Sequence, residues 1–171
     1  MIEDVFYWKT LKTQDNRGVF TKIFTAEILP EIKNFNVQDY FLTNSKKAVI
    51  RGMHLQVNEH ANNRVIFVNH GKVEDVLIDV RNWNDKAALP HKNSMYLGPG
   101  EEFDCVFVPA GVAHGFATIK DAEVVYLSDK NYSIAHDRGF NPLSFSHTWD
   151  VDRPVLSKRD ENLPNLKDFR L

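Results

Sequence analysis

The chain has one cysteine, no long apolar run and no surplus of charge of either sign, and each shortage removes a class of protein. A lone thiol, Cys105, forms no intrachain disulfide, which excludes a small disulfide-stapled scaffold. It lies between Asp104 and Val106 in an apolar run, the setting of a buried structural thiol rather than a nucleophile. No stretch approaches the ~20 apolar residues that a membrane-crossing helix needs. Lysine and arginine number 21 against 23 aspartates and glutamates, a formal net charge of -2, so there is no broad basic field for a nucleic-acid backbone and phosphate recognition has to be local. The first ten residues carry Glu3, Asp4 and the aromatics Phe6, Tyr7 and Trp8 rather than a basic start and an apolar run. They read as mature, soluble, cytoplasmic protein. No repeat, low-complexity tract or linker interrupts the 171 residues, a length that suits one core, so residues 1–171 are expected to form a single domain.

What the chain does have is a succession of short strand patterns. After the turn signal Asp15-Asn16-Arg17-Gly18, residues 19–24 alternate apolar and polar. Thr25 is placed to cap a short helix running to about Lys33, with Glu27 in its first turn and Pro30 limiting its length; no other helix is expected. Residues 36–43 and 48–55 read as a strand pair joined around Asn44-Ser45-Lys46. Residues 64–69 and 72–81 read as a second pair, with a tight turn at His70-Gly71. Residues 94–97, 102–108, 114–119 and 123–128 continue the series, punctuated by Gly98-Pro99-Gly100 and Pro109-Ala110-Gly111. Such spacing predicts an all-β sandwich or barrel. Beyond Lys130 the pattern dissolves into a charged tail with three prolines, expected to pack across the barrel as an irregular segment. Within residues 72–81 one face carries Val76, Ile78 and Val80 and the other Val73, Asp75, Leu77 and Asp79. An inward Asp75 would mark a polar cavity; an edge strand with solvated acids is the alternative.

Two stretches concentrate chemistry. Arg51-Gly52-Met53-His54-Leu55-Gln56 sets a cation, a flexible glycine and an imidazole at a strand end, where a histidine can exchange a proton near neutral pH. Val108 to Phe116 sets His114 just after a Pro/Gly turn. Small β-barrels of the cupin type carry P-x-G-x-x-H at that place and a second histidine opposite, and His54 and His114 resemble that pair. Metal-binding cupins use two histidines at alternate positions with a later glutamate and a third histidine. Here Gln56 stands at the second position and His60 falls in a polar loop, so no metal is expected. Proton transfer needs a base, a carboxylate to orient it, a cation for an oxyanion and an acid on the opposite face. His54, Asp160, Arg64 and Tyr126 are the candidates; as residues alone, Tyr126 also suits a core aromatic, and Arg64 and Asp160 solvated charges.

Six motifs in order carry a wider resemblance: D-x-R-G-x-F ending at Phe20, Val37-Gln38-Asp39, R-G-x-H-x-Q from Arg51, G-x-V-x-D-V-x-x-D-x-R from Gly71, P-x-G-x-A-H-G-F from Pro109 and L-S-x-x-D ending at Asp160. The chain resembles the dTDP-4-dehydrorhamnose 3,5-epimerases and their nucleotide-sugar relatives. The resemblance implies an all-β, cupin-type jelly-roll barrel with one short helix and an irregular C-terminal segment. It implies an isomerase that inverts C3, C5 or both of a nucleoside-diphosphate 4-keto-6-deoxy sugar, in deoxysugar biosynthesis for a polysaccharide or glycoside, without redox cofactor or metal. By resemblance His54 is the base, Asp160 its partner, Tyr126 the acid and Arg64 the cation beside the enolate, with His114 and Asp75 as inner polar groups. Arg17, Phe20, Gln38, Arg51, Tyr132, Asp137 and Arg159 match nucleotide and phosphate contacts. The Arg17 segment reaches the neighbouring subunit in relatives, which implies a homodimer with an exchanged N-terminal segment. Three positions depart from the family: Arg64 replaces lysine, Lys22 a glutamate and Tyr40 an asparagine. A 3,4-ketoisomerase and a sugar-binding cupin without turnover are the competing readings.

Overall fold

The computed structural model describes residues 1–25, 30–83 and 90–170. Its strands are β1 (Phe6–Trp8), β2 (Leu11–Asp15), β3 (Gly18–Lys22), β4 (Asp39–Ser45), β5 (Ile50–Gln56), β6 (Arg64–Asp79), β7 (Lys92–Leu97), β8 (Cys105–Val108), β9 (Val112–Ser128) and β10 (Asp137–Gly139). Eight of them form one sheet in which β6 and β9 pair along nearly their whole length, while β2 and β3 form a separate hairpin.

The hairpin expected over residues 64–81 and the two strands expected at 114–119 and 123–128 are instead long continuous strands. Residues 64–69 and 72–79 belong to one 16-residue strand, β6, with Val80 and Arg81 beyond its end, and residues 114–119 and 123–128 to one 17-residue strand, β9. Between Val68 and Val73 the register against β9 shifts, and Gly71 sits at φ +85°. A Cβ there would collide with the carbonyl oxygen of Asp121 and approach the Cα of Ala122 to 2.7 Å. A hairpin turn and a shared bend ask for the same left-handed glycine, so the sequence signal is common to both. Residues 36–43 and 48–55 are likewise no pair: β4 lies against residues 122–128 and β5 against residues 114–117 of the same strand, β9. The break between them follows the bend, where Lys46 pairs with Asp121 and Thr118 donates to the Lys46 carbonyl.

The bend brings the two halves of the β6–β9 ribbon face to face. Ile66, Val68, Val124 and Tyr126 from one half share a buried cluster with Val73, Leu77, Val112 and Phe116 from the other. Strand alternation sends the remaining side chains to two outer faces. Val65, Phe67 and Val125 pack under Trp8, Ile32 and Phe35 of the N-terminal region, with Cys105 buried beside them. Burial pushes the Cys105 thiol up, as expected of a structural cysteine. Val76, Ile78, Ile50 and Met53 pack under Phe140, Trp149, Leu166 and Phe169, so the C-terminal segment covers the second outer face as its sequence implied. Asp104, fully buried, accepts from the Thr10 amide and hydroxyl at 2.7 and 2.8 Å and fixes the chain where it leaves toward β2.

The helix predicted from Thr25 falls partly on residues 26–29, outside the described residues; Pro30–Ile32 form a single 3₁₀ turn. The only α-helix among the described residues is α1 (Lys158–Glu161), one turn capped by the Ser157 hydroxyl. None of the described helices is long and apolar enough to cross a membrane.

Gly71→Ala is expected to lower the unfolding free energy by about 3 kcal/mol, because it combines a disfavoured φ with a backbone collision. A urea titration that leaves the midpoint unchanged would refute this account of the bend.

Candidate active site

Between the facing halves lies a cavity of about 440 Å³, a volume suited to a small-molecule ligand. His54, Arg51 and Gln56 enter it from β5, Phe41 and Thr43 from β4, Arg64 from β6, and His114, Tyr126 and Ser128 from β9. Tyr132, Asp137, Arg159 and Asp160 close it from the C-terminal region.

Arg51 and His54 are three residues apart, a spacing that in a regular strand puts them on opposite faces. The β5 register against β9 shifts between them, with Gly52 at φ +121°. Ile50 and Met53 both point to the outer core, and Arg51 and His54 both line the cavity, so one extra residue in the strand reverses the alternation. A Cβ on Gly52 would lie 2.5 Å from the Cα of Gly115, which accounts for glycine on both strands.

His54 Nε2 lies 2.7 Å from Asp160 Oδ1. Asp160 is buried on α1, and its own amide donates to the capping Ser157. Burial would push this carboxyl up, but bonds from His54, from Ser157 and from the Gly52 amide outweigh it and hold Asp160 below the usual carboxylate range. In the neutral imidazole, a bond donated from Nε2–H to the carboxylate puts the lone pair on Nδ1, where a proton can be accepted. A second, fully internal pair stands beside it: His114 Nε2 and Asp75 Oδ2 are 2.6 Å apart. Asp75 is therefore an inward group behind the cavity wall, and the edge-strand alternative is overturned because β6 is flanked by β9 on one side and by β7 and β8 on the other.

The Tyr126 phenol is raised well above its ordinary value by burial and by the charge of Asp75, so it is protonated at neutral pH. Arg64 reaches across from its own half and donates to the carbonyl of Val112 at 2.9 Å. Burial pulls its guanidinium down to about 10, against the opposing pull of Tyr126, Asp75 and Asp137, and it remains a cation. At the mouth, Arg159 pairs with Asp137 at 2.6 Å, Tyr132 donates to the same carboxylate at 2.8 Å, and Arg51 Nε donates to Ser45.

Thus His54, Arg64, Tyr126, Asp160, Arg51, His114, Tyr132, Asp137 and Arg159 converge on one cavity, with Asp75 behind it. Arg17, Phe20 and Gln38 do not line it: the first two sit on the β2–β3 hairpin, and Gln38 bonds Ser128 only through its main chain. The sequence reading missed Asp39, Phe41 and Thr43, whose alternation along β4 marks one common face, and Asn62, which donates to Ser128 at 2.7 Å. Gln56 accepts from the Ser133 amide, and among the described residues no three His, Cys, Asp or Glu side chains are grouped to hold a metal ion.

An all-β sandwich with a histidine–carboxylate pair and a tyrosine in the space between its halves is cupin-like in architecture. The family model for dTDP-4-dehydrorhamnose 3,5-epimerase matches residues 1–168, and the chain belongs to that family. The dTDP-4-dehydrorhamnose 3,5-epimerase of Shigella flexneri is 30% identical, with 94% of this chain and 90% of that protein aligned. A crystal structure of the Bacillus anthracis dTDP-4-dehydrorhamnose 3,5-epimerase with TDP and PPi bound superposes with a TM-score of 0.82 at 30% identity, covering 95% of this chain and 94% of that one. A dTDP-4-dehydrorhamnose 3-epimerase of Streptomyces niveus is 27% identical over 99% of this chain and 83% of its own length.

A carboxyl whose pKa is lower folded than unfolded contributes stability that is fully present above the unfolded value, about 4, and lost as pH falls through the folded one. The stability difference between the protein and Asp160→Asn is therefore expected to hold at neutral pH and to shrink as the pH falls below about 4. Urea titrations across that range measure it, and a difference independent of pH would contradict the His54–Asp160 bond.

Proposed function

We propose that the protein is a cofactor-independent epimerase that inverts C3, C5 or both of a nucleoside-diphosphate 4-keto-6-deoxy sugar, in the cytoplasm, for deoxysugar biosynthesis, with residues 1–171 acting as one unit. The observation that carries this is the meeting of the His54–Asp160 pair, Tyr126 and Arg64 in one cavity fed by both halves of the ribbon. His54 removes the proton from a carbon next to the C4 ketone. The C–H electron pair becomes a C=C bond and the carbonyl pair moves onto oxygen, giving an enolate whose charge the Arg64 cation offsets. Tyr126 donates its phenolic proton to the same carbon from the opposite face, so the centre inverts and no redox cofactor or metal is consumed. A phenol held protonated suits that role, and the neighbouring guanidinium stabilises the phenolate left behind.

Arg51, Arg159 and Tyr132 at the mouth fit the diphosphate and the nucleoside, with Asp137 fixing Arg159. Lys22 and Tyr40, exposed and outside the cavity, leave the base open among dTDP, CDP and GDP. The β2–β3 hairpin exposes Leu11, Val19 and Phe20, apolar surface that suits exchange onto a second copy, with Arg17 and Phe20 serving the partner's cavity.

Incubation with a panel of nucleotide-linked 4-keto-6-deoxy sugars in deuterated water should place solvent deuterium at C3 or C5 of an inverted product, read by NMR. His54→Ala should lower turnover by about 10³-fold, and Tyr126→Phe should lose inversion by a similar factor. Absence of deuterium with every nucleotide form defeats the proposal. Mixing His54→Ala chains with Arg17→Ala chains should restore activity, since one site of the mixed dimer keeps both groups; no recovery on mixing speaks against the exchanged hairpin.

A further inference from the structure

An acid that must hit one carbon from one side is useful only if its ring is held in place, and the ring of Tyr126 is held from two sides. On one side His114 meets it edge-on, with centroids 6.1 Å apart and planes at 69°, and His114 is itself fixed by buried Asp75. On the other stands Phe41. It is the direct cross-strand partner of Tyr126 on β4, and the two rings lie 4.6 Å apart with planes only 10° from parallel. Phe41 is 43% exposed and belongs to none of the buried clusters, so the core does not call for an aromatic there. The stack on Tyr126 is the ring contact that it makes.

We propose that Phe41 is a positioning residue that holds the Tyr126 phenol in line with the substrate carbon. This rests on the reading of Tyr126 as the acid. A parallel stack leaves the tyrosine ring no room to turn about its Cβ–Cγ bond unless Phe41 moves as well. Placement errors of an ångström are enough to slow a transfer by up to about a hundredfold, so a loosened phenol misses its target more often. His54 lies on β5, paired with the other half of β9, and is held by Asp160, so proton removal, and its return to the face it left, do not depend on the stack. Loss of Phe41 therefore uncouples two events that Tyr126 normally links: exchange with solvent continues, and inversion falls.

The test compares the protein with Phe41→Leu, Phe41→Ile and Phe41→Tyr in deuterated water, following by NMR the deuterium in recovered, uninverted sugar and the amount of inverted product. Phe41→Leu is expected to lower kcat for inversion by about tenfold to a hundredfold with little change in KM, while exchange into recovered sugar stays at the wild-type rate. Phe41→Ile, which keeps strand propensity, should behave the same way, and Phe41→Tyr should restore the wild-type ratio by restoring the stack. In the unliganded protein, the flip rate of the Tyr126 ring, measured by aromatic NMR, should rise in Phe41→Leu. An unchanged inversion-to-exchange ratio, an equal fall in both, or an unchanged flip rate overturns the inference while the proposed function stands. A wild-type protein that neither exchanges nor inverts any nucleotide sugar overturns both.

Discussion

Two paired strands of sixteen and seventeen residues can fold back on themselves only where one strand lets the other come close without a side chain between them. Gly71 against Asp121 and Ala122 is that place. From this contact follows the facing of the two halves, the shared core of Ile66, Leu77, Phe116 and Val124, and the cavity at the far end of the ribbon. His114 and Tyr126 are twelve positions apart on a single strand and would be about 40 Å apart if β9 were straight. Folded, their rings touch.

Much of this was legible in the sequence and the rest was not, for identifiable reasons. Alternation separated the inner and outer faces of residues 72–81 correctly, because period two is a property of the strand whatever it pairs with. Partners were harder. Residues 70 and 71 carry a turn signal, and local chemistry does not tell whether the chain reverses or merely bends there, since the difference depends on a backbone fifty residues away. Of the six motifs, those around His54, His114 and Asp160 led into the cavity, whereas Arg64, Tyr126, Tyr132 and Asp137 lie outside all six and were named from the wider resemblance. Phe41 escaped because its meaning is relational: it matters for what lies across from it on β9. Strict alternation turns Arg51 away from His54, so a shared cavity required a bend near Gly52, and the register shift there supplies it.

The charges of the site are arranged as neutralised pairs rather than as a field. Asp160 with His54, Asp75 with His114 and Asp137 with Arg159 each place a carboxylate against a basic group. Arg64 departs from this pattern, a desolvated, half-buried cation that spends its donors on main-chain carbonyls and not on a carboxylate. An uncompensated positive charge in a desolvated pocket is unfavourable at rest and becomes favourable when negative charge develops beside it. That asymmetry fits a site whose work is to stabilise an oxyanion.

His54 and Asp160 are separated by 106 positions of chain. A ribosome that has released the polypeptide as far as Tyr126 has already delivered the proposed base, cation and acid, yet the carboxylate that fixes the imidazole is still to be made. It arrives with the segment that also covers the outer face of the second half with Phe140, Trp149 and Phe169. Completion of the core and completion of the site are thus one event in the life of the nascent chain, and a half-made protein carries the parts of its chemistry without the means to aim them.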